Sequence, residues 1–192
     1  MQAFIQLLKS VAPLPDHEIE KFLDLGSAKS LEEGEYFIRA GEIPKKIAWV
    51  EKGLFRYVYI NEEGKEFTKS LFLEHKILSS YSSMILGIPS YFYIEALEAS
   101  NILSFDFEQW EELRKGHPAW TKFLLVLVQE GFITKEKRER ELLLLDAEQR
   151  YRIFLQEFPG LDKRIKQSII ASYLGISPES LSRIRRNMSD LT

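Results

Sequence analysis

The spacing of apolar positions changes character twice along the chain. Over residues 4–9 and 16–25 it is helical, interrupted by Pro13 and Pro15, with Asp16 as a candidate cap and Gly26 as a stop. From Ser27 to Phe107 short runs of β-branched and aromatic residues take over. Turn signals separate them at intervals of about 8–12 residues: Glu33-Gly34, Ala40-Gly41, Lys52-Gly53, Asn61–Gly64 and Gly87-Ile88-Pro89. The stretch LFRYVYINEEGKEFTKSLF reads as a hairpin turning at Asn61–Gly64. Evenly spaced short strands of this kind predict a sandwich or barrel.

After Phe107 the helical spacing returns. Glu108–Lys115 predicts a short helix stopped by Gly116-His117-Pro118, and a long helix follows from about Ala119 to Leu144. On it Trp120, Leu124, Leu127 and Gly131 recur by fours and threes, a narrow seam suited to a second helix of the same kind. Phe123 and Phe132 are left to pack on the barrel. Asp146 opens a further helix over Ala147–Phe158, ended by Pro159-Gly160.

The run QSIIASYLGISPESLSRIRR, residues 167–186, has the pattern of a helix-turn-helix. Ile170, Ala171 and Leu174 line the inside of a first helix. Gly175 can take the left-handed conformation that ends it. Ser177 is a good N-cap and Pro178 suits the first position of a second helix. Leu181 and Ile184 turn inward, which leaves Glu179, Ser180, Ser182, Arg183 and Arg186 outward. Such a face can reach base edges in a major groove.

Charge supports this reading. Residues 162–187 hold six basic side chains and two acidic ones, in a chain of net charge -3. A basic end on an acidic body is the footprint expected of nucleic-acid binding. Composition excludes more than it assigns. The chain has no cysteine, hence no disulfide, no thiol chemistry, no cysteine-held iron–sulfur cluster and no structural zinc of the usual kind. Its first residues lack the pattern of a signal peptide, and Phe123–Val128 is too short an apolar run to span a bilayer. A cytoplasmic protein without a membrane partner is the expectation.

With the order helix, barrel, long helix, helix-turn-helix in place, the chain resembles the Crp/Fnr superfamily of bacterial transcription regulators. Gly34-Glu35, Gly41, Trp49-Val50-Glu51-Lys52-Gly53, Arg56-Tyr57 and Gly64-Lys65-Glu66 are similar to the cyclic-nucleotide-binding β-roll. ASYLGISPESLSRIRR looks most like the short Crp-type regulators of the Bacteroidetes. The resemblance implies an α+β fold: a jelly-roll sensor over 1–118, a dimerisation helix over 119–145, and a helix-turn-helix domain over 146–192. It implies a homodimer on palindromic double-stranded DNA, with RNA polymerase as a further partner to consider. Glu179, Ser180 and Arg183 would meet bases, and Lys166, Gln167, Ser177, Ser182, Arg185 and Arg186 the backbone.

Two departures qualify it. The family's phosphate cassette pairs a Gly-Glu turn with an arginine about ten residues later. The matching stretch, LSSYSSMILGIPSYFYIEALEAS, holds no arginine or lysine. A buried phosphate without a cation is costly, so cyclic AMP is not expected as a ligand. Tyr81, Ser82, Ser83, Ser90 and Tyr91 could line a pocket for some other small molecule, or merely cap turns. The second departure is the wing: six residues follow Arg186 where many family members have a β-hairpin.

Two other classes stay open. One is an interaction protein with a vestigial helix-turn-helix. The other is a cupin-like metal enzyme, for which His17, His75 and His117 supply neither the number nor the spacing of ligands. A haem sensor would have only His75 as a barrel ligand.

Overall fold

The computed structural model describes residues 1–189; residues 190–192, on which the expectation about the wing partly falls, lie outside them. The backbone packs as two units. One comprises Met1–Tyr59 and Leu71–Glu130, and the other Ile60–Ser70 together with the chain from Gly131 onward. The division falls inside the long helix, not at its ends.

The first unit begins with α1 (Gln2–Val11) and α2 (Asp16–Asp24). Pro15, in extended conformation, precedes α2 as its cap; Asp16 is the first helical residue and pairs with Lys9 at 2.7 Å instead of capping. Eight strands follow: β1 (Ser27–Leu31), β2 (Tyr36–Ile38), β3 (Lys46–Lys52), β4 (Phe55–Ile60), β5 (Glu66–Phe72), β6 (Ile77–Leu78), β7 (Tyr93–Ala96) and β8 (Ser100–Asp106). They form two four-stranded sheets in the orders β1-β8-β3-β6 and β2-β7-β4-β5, in keeping with the sandwich or barrel that the turn spacing predicts and the jelly roll that the resemblance implies. A short helix, α3 (Tyr81–Leu86), interrupts the second half of the roll.

Strand β3 shows why the roll needs the helices around it. Ala48 and Val50 face the roll interior with Phe55, Tyr57, Leu78, Ile94 and Ile102. Trp49, between them, points the other way into a cluster with Phe4, Phe22, Phe105, Trp110 and Trp120. A strand buried on both faces reads as a continuous apolar run, and alternation sorts its residues between two cores. Phe22 stacks on Phe105 at 4.3 Å and Phe4 on Trp49 at 4.6 Å. Each such ring contributes roughly 1.5–3 kcal/mol by burial. The turn at Gly53 is forced: φ is +116° and an added Cβ would lie 2.0 Å from Ser100 Oγ.

Asp106 caps α4 (Phe107–Gly116) by accepting from the N–H groups of Glu108 and Gln109. The long helix α5 (Pro118–Leu144) starts with its proline at the first position. Trp120 is 0% exposed and donates its indole N–H to Glu18 at 2.9 Å. Lys21 holds the other carboxylate oxygen of Glu18 at 2.7 Å. Those bonds, Lys21 first and then Trp120, keep the buried Glu18 carboxyl below its ordinary range.

In the second unit the β4–β5 turn is closed by Asn61, whose side chain accepts from the Lys65 N–H at 2.8 Å. Helix α6 (Ala147–Glu157) opens with a full capping box between Asp146 and Gln149. A 3₁₀ turn (Leu161–Lys163) leads to α7 (Gln167–Leu174) and α8 (Pro178–Ser189). The core gathers Tyr151, Phe154, Leu161, Ile169, Ile170, Ala171, Tyr173, Leu174 and Leu181. Ser172 binds the edge strand β5: its hydroxyl donates to the Glu66 carbonyl at 3.0 Å and accepts from the Thr68 N–H at 2.8 Å.

Candidate nucleic-acid interface

The turn between α7 and α8 follows from four residues. Gly175 has φ 70° and ψ 33°, the left-handed helix stop. Its N–H bonds to the Ser172 carbonyl at 3.2 Å and the Ile176 N–H to the Ala171 carbonyl at 3.0 Å, a Schellman closure. Ser177 then caps α8, accepting from the Ser180 N–H at 3.2 Å, with Pro178 in the first position. Ser177 also donates to the Ser180 hydroxyl at 3.2 Å. Ser177 and Ser180, expected at the DNA, are thus both engaged in the cap, and Ser180 is half-buried.

The outward face of α8 carries Glu179, Ser182, Arg183 and Arg186, all exposed, around an open hollow of about 250 Å³. The Glu179 carboxyl lies below its ordinary range, held first by its own backbone N–H and then by the Ser177 hydroxyl. It is therefore an acceptor, lining the same hollow as Arg183. Lys166 and Gln167 are exposed at the start of α7. Arg185 differs from expectation: half-buried, it points toward Asp162, 3.9 Å away, and its Nη1 lies buried. It belongs to the fold of the unit more than to its surface.

The residues expected to line a small-molecule pocket do not converge. Tyr81 stands edge-on to Phe107. Ser82 is exposed and Tyr91 is 74% exposed. Ser83 and Ser90 do turn inward, but onto protein partners. Ser90 Oγ lies 3.0 Å from Ser80 Oγ and donates to the Phe92 carbonyl at 2.8 Å; Ser83 reaches the Pro89 carbonyl at 3.4 Å. Beside them Tyr57 is stacked between Phe72 and Phe92, and its hydroxyl accepts from the Ser79 N–H. Burial raises the Tyr57 phenol. The buried Arg56 on β4 is bound to Glu95 at 2.6 Å. A guanidinium already matched to a carboxylate is not offered to a phosphate.

The seam residues of α5 also divide. Trp120 is drawn into the core of its own unit, Leu124 and Leu127 pack half-buried on that core, and Gly131 is exposed. The apolar face left open is Leu125, Val128, Phe132 and Ile133; Phe132, expected on the barrel, is 65% exposed. The sequence did not point to Arg138, Arg150 or Ser172. A cation on a helix reads as solvated, and their partners lie 24 to 106 residues away.

Residues 28–117 match the model of the cyclic nucleotide-binding domain. Over nearly its whole length the chain has the fold of Crp/Fnr regulators. It is similar to CLP of Xanthomonas campestris, described as a c-di-GMP responsive global regulator, with 14% identity, 92% of each chain covered and a TM-score of 0.75. FixK2 of Bradyrhizobium japonicum gives 17% identity over 86% of this chain and 85% of that one, with a TM-score of 0.76. A protein from Eubacterium rectale described as a Crp/Fnr-family transcriptional regulator gives 17% identity over 92% and 84%, with a TM-score of 0.74. Among curated proteins, none matches the chain by sequence.

Proposed function

We propose that the chain is a DNA-binding transcription regulator that acts as a homodimer on palindromic sites. The observation that carries this reading is the α7–α8 turn, a helix-turn-helix that presents Glu179, Ser182, Arg183 and Arg186 on one open face. Arg183 grips guanine bidentately, and Glu179 accepts from a cytosine amine. Lys166, Gln167, Ser182 and Arg186 hold the phosphates. Ser177 and Ser180 act through the cap. The two copies meet along α5, on the face of Leu125, Val128 and Phe132, spaced by three and four. The regulator works in the cytoplasm, where RNA polymerase is within reach; no described helix is long and apolar enough to cross a membrane. It has no catalytic role.

The barrel does not take cyclic AMP. Its cassette stretch has no cation, and its inward hydroxyls are already bonded to protein.

Fluorescence anisotropy on the promoter of its own gene tests the reading. Binding should be salt-dependent and tighter than to random DNA by about 10³ or more. No binding at low salt, or equal affinity for random DNA, would overturn it.

A further inference from the structure

The last turn of a helix leaves four carbonyls without helical partners. In α7 all four are accounted for, and two of the donors come from far away. The Ala171 and Ser172 carbonyls are taken by the Ile176 and Gly175 N–H groups of the turn itself. The Tyr173 carbonyl accepts from Arg138 Nη2 at 2.5 Å, and the Leu174 carbonyl from Arg150 Nε at 3.1 Å. Arg138 stands on α5, with its guanidinium carbon 3.8 Å from the centre of the Tyr173 ring. It also lies 3.7 Å from the buried Glu141, which Lys137 holds at 3.2 Å. Arg150 stands on α6, and its Nη1 reaches the Leu145 carbonyl just past α5 at 2.5 Å.

The end of α5, the start of α6 and the turn before α8 are therefore fastened at one point by two guanidinium groups. Both cations face the negative end of the α7 dipole. Arginine suits the task because its planar fork can stack on a ring and donate from its edge together, which an ammonium cannot do.

We propose that Arg138 and Arg150 are positioning residues for the recognition helix: they fix the angle at which α8 leaves α5, and through it the spacing of half-sites a dimer accepts. This rests on the DNA-binding reading above. Neither residue touches DNA in it.

Two measurements on the full chain test the proposal. The first needs no DNA. Hydrogen exchange in segment 167–186 should quicken about tenfold at the Gly175 and Ile176 amides in Arg138→Ala and Arg150→Ala, as local opening becomes easier. Arg152→Ala, which removes an exposed pair with Glu148, should leave them unchanged. The second uses a selected palindrome and variants lengthened or shortened by one base pair, each step rotating one half-site by about 34°. The wild type should prefer one spacing by about tenfold, and Arg138→Lys should reduce that preference to about threefold or less while single half-site affinity holds. A merely destabilised protein would lose all sites in proportion. Unchanged exchange in both alanine variants, or unchanged spacing preference in Arg138→Lys, overturns the proposal. If the wild type binds no DNA, the DNA-binding reading falls, and exchange alone decides whether the clamp exists.

Discussion

The barrel cassette and the α8 face use the same kind of residue to opposite ends. Around α3, serines and tyrosines turn inward and find each other: Ser80 with Ser90, Ser90 with Phe92, Tyr57 with Ser79. On α8 the hydroxyls of Ser177 and Ser180 close the helix start, and that frees the charged side chains beyond them to stay outward. A polar cluster can meet a partner only where its side chains reach solvent. The first region turns its hydroxyls inward onto the fold, and the second keeps its charged side chains exposed at the surface.

The strongest attempt to break this contrast is to reopen the cassette. Ser90→Arg would restore a cation to the stretch, but into a buried place whose hydroxyl is already bonded to protein. We expect a loss of about 3–5 kcal/mol in urea unfolding, and no heat of cyclic AMP binding by calorimetry. Tight cyclic AMP binding with stability kept would mean the cassette is a site after all. On the other face, Arg183→Ala should leave stability alone and cost about 1–3 kcal/mol per half-site, relaxing base preference. Arg186→Ala should weaken every sequence alike and lower the salt slope by about 0.9 for each phosphate it no longer neutralises. If the two arginine variants behave alike, the division into base and phosphate readers is wrong.

Smaller effects sharpen the picture. Ser177→Ala removes the α8 cap and should cost about 1 kcal/mol of stability, seen in thermal melts of the second unit. Smaller still is a difference between two carboxylates that both sit below the ordinary range. Glu18 is buried on Lys21 and Trp120; Glu179 is exposed on its own N–H. A lowered folded value stabilises above the unfolded value of about 4.3, and that stabilisation fades as pH falls through the folded value. Acid titration of Glu18→Gln should therefore show a flatter loss of stability below about pH 4.3. Glu179→Gln should follow the wild type, because Glu179 is open to solvent. Equal acid limbs for Glu18→Gln and the wild type would remove Glu18 from this account.

Turn chemistry made much of the molecule legible in the sequence. Gly175, Ser177 and Pro178 act on bonds within six residues, so the α7–α8 turn could be read from the letters alone. The Asn61–Gly64 hairpin and the Asp146 start of α6 were legible for the same reason. The face of α5 was not. Phe123–Val128 is apolar at every position, so periodicity could not show that Trp120 turns inward and Leu125 and Val128 outward, although Phe123 is expected to pack inward and is buried. The cassette was half legible. Its missing cation could be read, but the mutual bonding of Ser80 and Ser90 depends on a loop returning after ten residues. Arg138 meets Tyr173 only through tertiary packing, and nothing in its neighbours marks it.

The bond from Ser172 to β5 has a consequence for synthesis. The ribosome releases Glu66 and Thr68 about a hundred residues before the hydroxyl that will occupy them. Throughout that interval the outer strand of the second sheet lacks the hydroxyl that later covers its edge, and sheet edges are where strands of neighbouring chains assemble. A chain shortened to end before Ser172 would keep that edge permanently. It should clump as it leaves the ribosome, while the longer chain shields itself once α7 emerges.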